Sequence, residues 1–265
     1  MTATPEPPPA HVRAAFGART AEPELVGSGP AWLCGDAVIR PAMNPSEAAW
    51  VAQTLDSLDV ENLRLARPLR SSDGRWVVSG WSATRHLAGQ PEPRHDEVVS
   101  VSLRLHNATA ELPKPRFLEE RRDIYAMADR MAWGEDGVPL APDKGGRLFG
   151  ALAGSRRTVK LAPQVVHGDL FGNVLFAGNA PPGIMDFSPY WRPAEWAAGV
   201  VVVDALAWGG ADNGLPQRWS HLIDWPQVLL RALLFRLAVH ALHPRSTAQS
   251  LTGLDRAANV LLDLI

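Results

Sequence analysis

The chain has 265 residues, 46% of them hydrophobic and 20% charged, with a formal net charge of −2. That length suits one large domain or two lobes around a substantial core, and the composition is that of a soluble globular protein. The near-neutral charge argues against a nucleic-acid partner, which calls for a basic surplus. The longest apolar run, Val228–Leu242, is broken by Arg231 and Arg236, so no membrane span is predicted.

Met1–Pro9 is rich in proline and lacks the apolar segment of a signal peptide, so residues 1–20 predict a flexible N-terminal tail. Ala31–Cys34 and Ala37–Arg40, joined by Gly35-Asp36, predict a β-hairpin. Cys34 is the single cysteine, which excludes an internal disulfide and fits a reducing, cytoplasmic setting. Asn44-Pro45-Ser46-Glu47 is a helix start: Asn44 caps, Pro45 suits the first helical position and Glu47 completes a capping box. The helix runs to Leu58, with Trp50 and Leu55 on its apolar face. Alternation over Leu63–Leu69, a turn at Ser71–Gly74 and a strand at Trp76–Val78 predict a second hairpin. Gly80-Trp81-Ser82 ends it as a hinge.

The pattern then turns helical, near 95–108, 117–133 and 144–153. Strands return at Gln164–Val166, Val174–Phe176 and Ile184–Met185, and helices at 194–208, 225–243 and 246–264. The organisation is a strand-rich lobe over 21–82 and a helical lobe over 83–265 with an embedded β-hairpin.

The chemistry concentrates in Val166-His167-Gly168-Asp169-Leu170-Phe171-Gly172-Asn173-Val174-Leu175-Phe176 and in Gly183-Ile184-Met185-Asp186-Phe187. A loop between strands carries a carboxylate and, four residues on, a carboxamide; the next strand ends on a second carboxylate. Asn and Asp oxygens are hard donors suited to Mg²⁺. Asp169 is then left to accept a proton from an attacking hydroxyl, the division of labour that phosphoryl transfer needs. An Asp-x-x-x-Asn loop by itself is also an ordinary hydrogen-bonded turn. His240 and His243 have helical spacing but no acidic neighbours, and read as core or surface histidines rather than metal ligands.

His167–Asn173 resembles the Brenner motif of the aminoglycoside phosphotransferase and choline kinase-like family, and Asp186-Phe187-Ser188 resembles the Asp-Phe-Gly metal segment of that family. The loop has three residues between Asp169 and Asn173 where the family has four. The resemblance implies an α+β, protein-kinase-like two-lobed fold: a small antiparallel-sheet N-lobe and a larger, mainly helical C-lobe holding the catalytic hairpin. It implies Asp169 as catalytic base, Asn173 and Asp186 as Mg²⁺ ligands, and His167 and Asp204 as supports of the loop. Upstream, Ala37-Val38-Ile39-Arg40 is similar to the phosphate-binding strand, with Arg40 in the place of a lysine. No lysine precedes Lys114 to substitute for it. Glu47 resembles the glutamate that pairs with that lysine, Gly27 and Gly29 fall where the loop over the phosphates is expected, and Gly80 and Trp81 fall at the adenine hinge.

The implied function is an ATP- and Mg²⁺-dependent small-molecule kinase, a cytoplasmic phosphotransferase acting on the hydroxyl of a sugar, aminoglycoside-like compound or amino alcohol. A degenerate, non-catalytic nucleotide-binding module is the alternative. From Phe187 onward six basic and six acidic residues balance, which argues against a strongly cationic acceptor.

Overall fold

A computed structural model of the protein describes residues 5–27 and 29–265. In chain order its principal elements are α1 (Ala10–Ala15), β1 (Glu24–Val26), β2 (Ala31–Cys34), β3 (Ala37–Pro41), α2 (Pro45–Ser57), β4 (Arg64–Leu65), β5 (Val77–Val78) and β6 (Trp81–Arg85). They continue with α3 (His95–Thr109), α4 (Phe117–Glu120), α5 (Ile124–Trp133), α6 (Gly146–Ala153), β7 (Gln164–His167), β8 (Val174–Ala177), β9 (Ala180–Ile184) and β10 (Pro189–Arg192). Four helices close the chain: α7 (Ala194–Ala207), α8 (Leu215–Arg218), α9 (Trp225–Leu242) and α10 (Thr252–Leu261). The chain divides into two compact units, one made of residues up to Gln90 with Leu175–Asp186, the other of Pro91–Val174 with Phe187–Ile265.

The first unit is built on an antiparallel sheet in the order β1-β2-β3-β6-β5. The hairpin expected at residues 31–40 is present, with Trp32 opposite Ile39. Helix α2 starts as its sequence requires: the Asn44 carboxamide oxygen accepts the amides of Ser46 and Glu47. Leu55 is buried, but Trp50 is only half-buried, a correction to the apolar face read from the sequence.

Three further expectations are corrected in this unit. Residues 10–16 are not a flexible tail. They form α1 and its C-terminal turn, and Val12 and Phe16 pack with Trp32, Cys34, Ile39 and Val78 in one core. Two apolar side chains four residues apart suffice to seat a short helix on a sheet. The second hairpin also differs. Val78 pairs with Trp81, so the turn is Ser79-Gly80, both at positive φ (49° and 78°), as a type I′ hairpin turn requires. Gly80–Ser82 is therefore a turn leading into β6, and the chain leaves this unit at Gln90–Pro91. Residues 63–69 contribute instead the short β4, which runs parallel to β9. That pairing, together with the Gln90–Phe176 bridge, is why Leu175–Asp186 clusters with this unit rather than with the helices.

The second unit is helical around α7 and α9. Both are buried almost all round: Trp196 and Val200–Val203 on α7, and Val228–Leu230 and Leu233–Phe235 on α9, are fully or almost fully buried. The predicted helix over 117–133 is two helices, because Asp123 caps a new start by accepting the amides of Tyr125 and Ala126. Strand β7 pairs with β10, His167 facing Pro189. Helix α3 ties down β7 from the side: the Thr109 hydroxyl donates to the Val165 carbonyl at 2.7 Å and the Gln164 carboxamide to the His106 carbonyl. His240 is buried, bonded to the Lys144 carbonyl and the Ser250 hydroxyl, as a core histidine is.

Candidate active site

The loop 167–173 leaves β7 in the second unit and is shaped by its own sequence. His167 is fully buried; its backbone amide donates to His106 Nε2 at 2.9 Å and its Nδ1 accepts the Asp169 amide at 3.1 Å. Because Nε2 of His106 accepts a backbone proton, the neutral His106 carries its own proton on Nδ1, toward the Ser102 hydroxyl. Burial, with His167 beside it, holds His106 down to about 3. Gly168 has no room for a side chain, since a Cβ there would lie 2.4 Å from the Tyr190 ring. The Asn173 amide nitrogen donates back to the Asp169 carbonyl at 2.6 Å, which leaves its side-chain oxygen, an acceptor, to face a proton donor or a cation.

Asp169 stands half-exposed on this loop. Its Oδ1 accepts from Arg236 Nη2 at 2.7 Å. Arg236 comes from the middle of α9, and its guanidinium also forks onto Asp204 of α7, through Nε at 2.7 Å and through Nη2. Burial works against the charge of Arg236, and the Asp204 and Asp169 carboxylates outweigh it, so its proton is held more tightly than usual. Burial pushes the Asp204 carboxyl up to about 6 against the opposing pull of Arg236, so the pair remains ionic at neutral pH. Trp208, half-exposed, places its ring 6.0 Å from the guanidinium carbon. Its position at the end of α7 is braced by Arg256, which donates to the carbonyls of Leu206 and Ala207.

In the first unit, Arg40 on β3 makes an ion pair to Asp186: Nη1 lies 2.8 Å from Oδ1, and Nη2 reaches the Met185 carbonyl at 3.4 Å. Glu47 sits in the first turn of α2. Gly27 and Gly29 flank the β1–β2 turn, where Cβ atoms would meet open space, and Ser28 between them lies outside the described residues. Gly80 is in the β5–β6 turn, and Trp81 opens β6 with its ring edge-on to Trp32 at 5.5 Å.

The structure thus gathers His167, Asp169, Asn173 and Asp204 in one unit and Arg40 with Asp186 in the other. Among the described residues no group of three or more His, Cys, Asp and Glu could cage a metal by itself. A carboxylate and a carboxamide are nonetheless the oxygen set that Mg²⁺ takes when phosphates and waters complete its shell. A cavity of about 650 Å³ in the second unit, lined by Arg121, Asp129, Arg130, Tyr190 and Arg192 among others, includes none of these residues.

Neither a protein-family model nor a curated protein matches the sequence. Solved structures do match. A spectinomycin phosphotransferase crystallised with ADP and spectinomycin shares 11% identity at a TM-score of 0.59, over 95% of both chains. A choline/ethanolamine kinase family protein from Mesorhizobium loti shares 18% identity at 0.56, over 95% of this chain and 94% of that one. An amicoumacin kinase in complex with AMP-PNP, Ca²⁺ and Ami shares 11% identity at 0.55, over 91% and 88%. The chain has the protein-kinase-like fold. Its α+β architecture is the one the catalytic-loop resemblance implied, and no helix among the described residues is long and apolar enough to cross a membrane.

Arg236 is the residue of this site that sequence reading missed. The signal was present: two arginines, 231 and 236, interrupt an apolar run too long to leave its charges in water, and a buried arginine requires carboxylate or carbonyl partners.

Proposed function

We propose that this protein is an ATP- and Mg²⁺-dependent phosphotransferase that moves the γ-phosphate to a hydroxyl of a small molecule. The observation that carries the reading is Asp169: a half-exposed carboxylate fixed at one oxygen by a buried guanidinium, on a loop that also presents Asn173. Among the described residues no side chain bonds its Oδ2, the oxygen offered to an acceptor.

In this reading the acceptor hydroxyl donates its proton to Asp169 Oδ2 as its oxygen bonds the γ-phosphorus. The bond from that phosphorus to the β,γ-bridging oxygen breaks, and ADP leaves with that electron pair. Mg²⁺, when bound, neutralises phosphate charge, and Asn173 and Asp186 are the residues that would hold it. Arg40 would meet the phosphates, with Gly27 and Gly29 at the open turn beside them and Glu47 near the start of α2. With Gly80 and Trp81 built into a hairpin, the linker role passes to Gln90–Pro91. His167 and Asp204 support the loop.

The solved neighbours support an alcohol acceptor of low molecular mass: their names specify spectinomycin, choline or ethanolamine, and amicoumacin. Trp208 offers the acceptor's carbon skeleton a flat apolar surface near Asp169. The degenerate reading draws on one observation, the Arg40–Asp186 ion pair, which engages the very carboxylate a metal would need.

The test is a screen of hydroxyl acceptors, spectinomycin and choline included, by coupled ADP detection. Asp169→Asn is expected to lower turnover by about 10²–10⁴-fold with ATP binding intact, because it preserves shape and removes proton acceptance. Equal turnover in variant and wild type would refute the role.

A further inference from the structure

We propose that Arg236 is the positioning residue for Asp169, setting the rotation of its carboxylate so that Oδ2 alone faces the acceptor. The inference rests on the phosphotransferase reading and adds to it a residue that the catalytic-loop motif does not contain.

A guanidinium carries five N–H donors in a rigid planar fork. Asp204, itself only 2% exposed, already neutralises Arg236 through a two-point contact. Gluing α7 to α9 needs nothing more. The same Nη2 nonetheless reaches out of the core to Asp169, whose side chain is 52% exposed and has water available to it. A carboxylate in water gains little from a single surface-type pairing, so the contact is poorly explained as a stability device. It is well explained as an orienting one. A carboxylate on an exposed loop otherwise rotates freely about its terminal torsion, which has broad wells. Here one oxygen is clamped to a guanidinium that cannot move, since Asp204 holds two of its nitrogens and the α7–α9 packing surrounds it. The remaining oxygen is then presented in one direction.

The chain of support runs further back. Asp204 is one helical turn before Trp208, whose amide donates to the Asp204 carbonyl at 2.8 Å. The last turn of α7 therefore carries both the partner of Arg236 and the aromatic surface beside it.

Three full-length variants decide the matter: Arg236→Lys, the double change Arg236→Gln with Asp204→Asn, and Asp169→Asn. Arg236→Gln alone would strand the buried Asp204 carboxylate, so the double variant, which removes both charges and keeps hydrogen-bonding shape, is the folded test. Turnover is read as ADP release with the best acceptor from the screen, or with water as acceptor. The double variant is expected to melt cooperatively, keep its KM for ATP, and lose about 10²-fold in kcat, the scale of a misplaced catalytic group. Arg236→Lys, which keeps a charge at Asp204 but cannot fork to both carboxylates, should fall between it and the wild type. In parallel, the side-chain ¹⁵N–¹H signals of Arg236 should shift on Asp169→Asn.

A folded double variant as fast as the wild type, or Arg236 signals unmoved by Asp169→Asn, overturns the positioning role while leaving the enzyme reading intact. A wild type that releases no ADP with any acceptor removes the enzyme reading and the inference together.

Discussion

His106 accepts through Nε2 the backbone amide of His167 at the entrance to the candidate loop, while its Nδ1 faces the Ser102 hydroxyl. The bond needs a lone pair on Nε2, and so a neutral ring. Burial enforces this by holding the group down to about 3. In the unfolded chain a histidine takes up its proton near pH 6.5. Between those values the unfolded state binds a proton that the folded state refuses. The contribution of His106 is therefore intact above about pH 6.5 and drains away as pH falls toward 3, by at most about 1.4 kcal/mol per pH unit. Asp204 and Asp129, whose carboxyls burial pushes up, run the opposite way, so the informative quantity is a difference. Urea unfolding of the wild type and His106→Gln from pH 7.5 to 4 should show the gap between them narrowing as the solution becomes acidic. A gap that stays constant would mean that His106 is not the titrating group. Neither His106 nor Arg236 announces itself in the motif that carries the chemistry. Each acts from a helix distant in sequence, and the residue it serves is visible only once the helix is packed.

Helix α1 is the element whose existence the sequence hid most effectively. Its proline-rich approach and its mere two buried side chains resemble a tail. Its fixings are tertiary: Val12 and Phe16 in the sheet core, the Arg13 guanidinium on the Ala21 carbonyl at 2.6 Å, and the Ala15 carbonyl accepting the Ser72 amide at 2.8 Å. Phe16→Ala is expected to cost about 3–5 kcal/mol, the usual toll for emptying a buried aromatic site. Chemical unfolding checks it, and a loss below about 0.5 kcal/mol, the scale of a neutral surface change, would return the segment to tail status. The same contrast between local and non-local signals runs through the fold. Helices α2, α3, α7 and α9 and the β2–β3 hairpin were legible because a cap, an apolar stripe, a long apolar run or a short glycine turn specifies each locally. The β5–β6 register was not, since it depends on Ser79 adopting a positive φ that serine seldom takes. Nor was the β4–β9 pairing, in which Arg64 and Leu65 find Gly183 and Ile184 across more than a hundred residues. The candidate site followed the same rule: the loop 167–173 was readable as a contiguous string, whereas the clamp on Asp169 was not.

Across the whole molecule the candidate site residues are shared out: Arg40 and Asp186 belong to the first unit, Asp169, Asn173 and Arg236 to the second. The first unit holds the Arg40 guanidinium and the Asp186 carboxylate already joined, 2.8 Å apart. With no lysine in the first 113 residues, arginine is the cation that this stretch offers to Asp186. A guanidinium that neutralises Asp186 makes that carboxylate less attractive to a dication. It is also the donor that ATP phosphates would recruit. Removing it should therefore move two affinities in opposite directions. Arg40→Ala is expected to bind Mn²⁺ alone more tightly, by a few-fold, because Asp186 loses its competing cation. It should bind ATP more weakly by about tenfold, the loss of one charge-assisted hydrogen bond of about 1.5 kcal/mol. Metal titration by electron paramagnetic resonance and nucleotide titration by calorimetry measure the two separately. Arg40→Lys separates charge from geometry: an ammonium keeps the attraction to phosphate but forfeits the planar fork, so nucleotide affinity should recover more fully than any turnover that depends on alignment. If both affinities stand unchanged in Arg40→Ala, the ion pair is a local fastening of β3 to the segment before Phe187. The phosphates must then be met by another residue. If metal and nucleotide affinities fall together, Arg40 supports the metal carboxylate rather than competing for it.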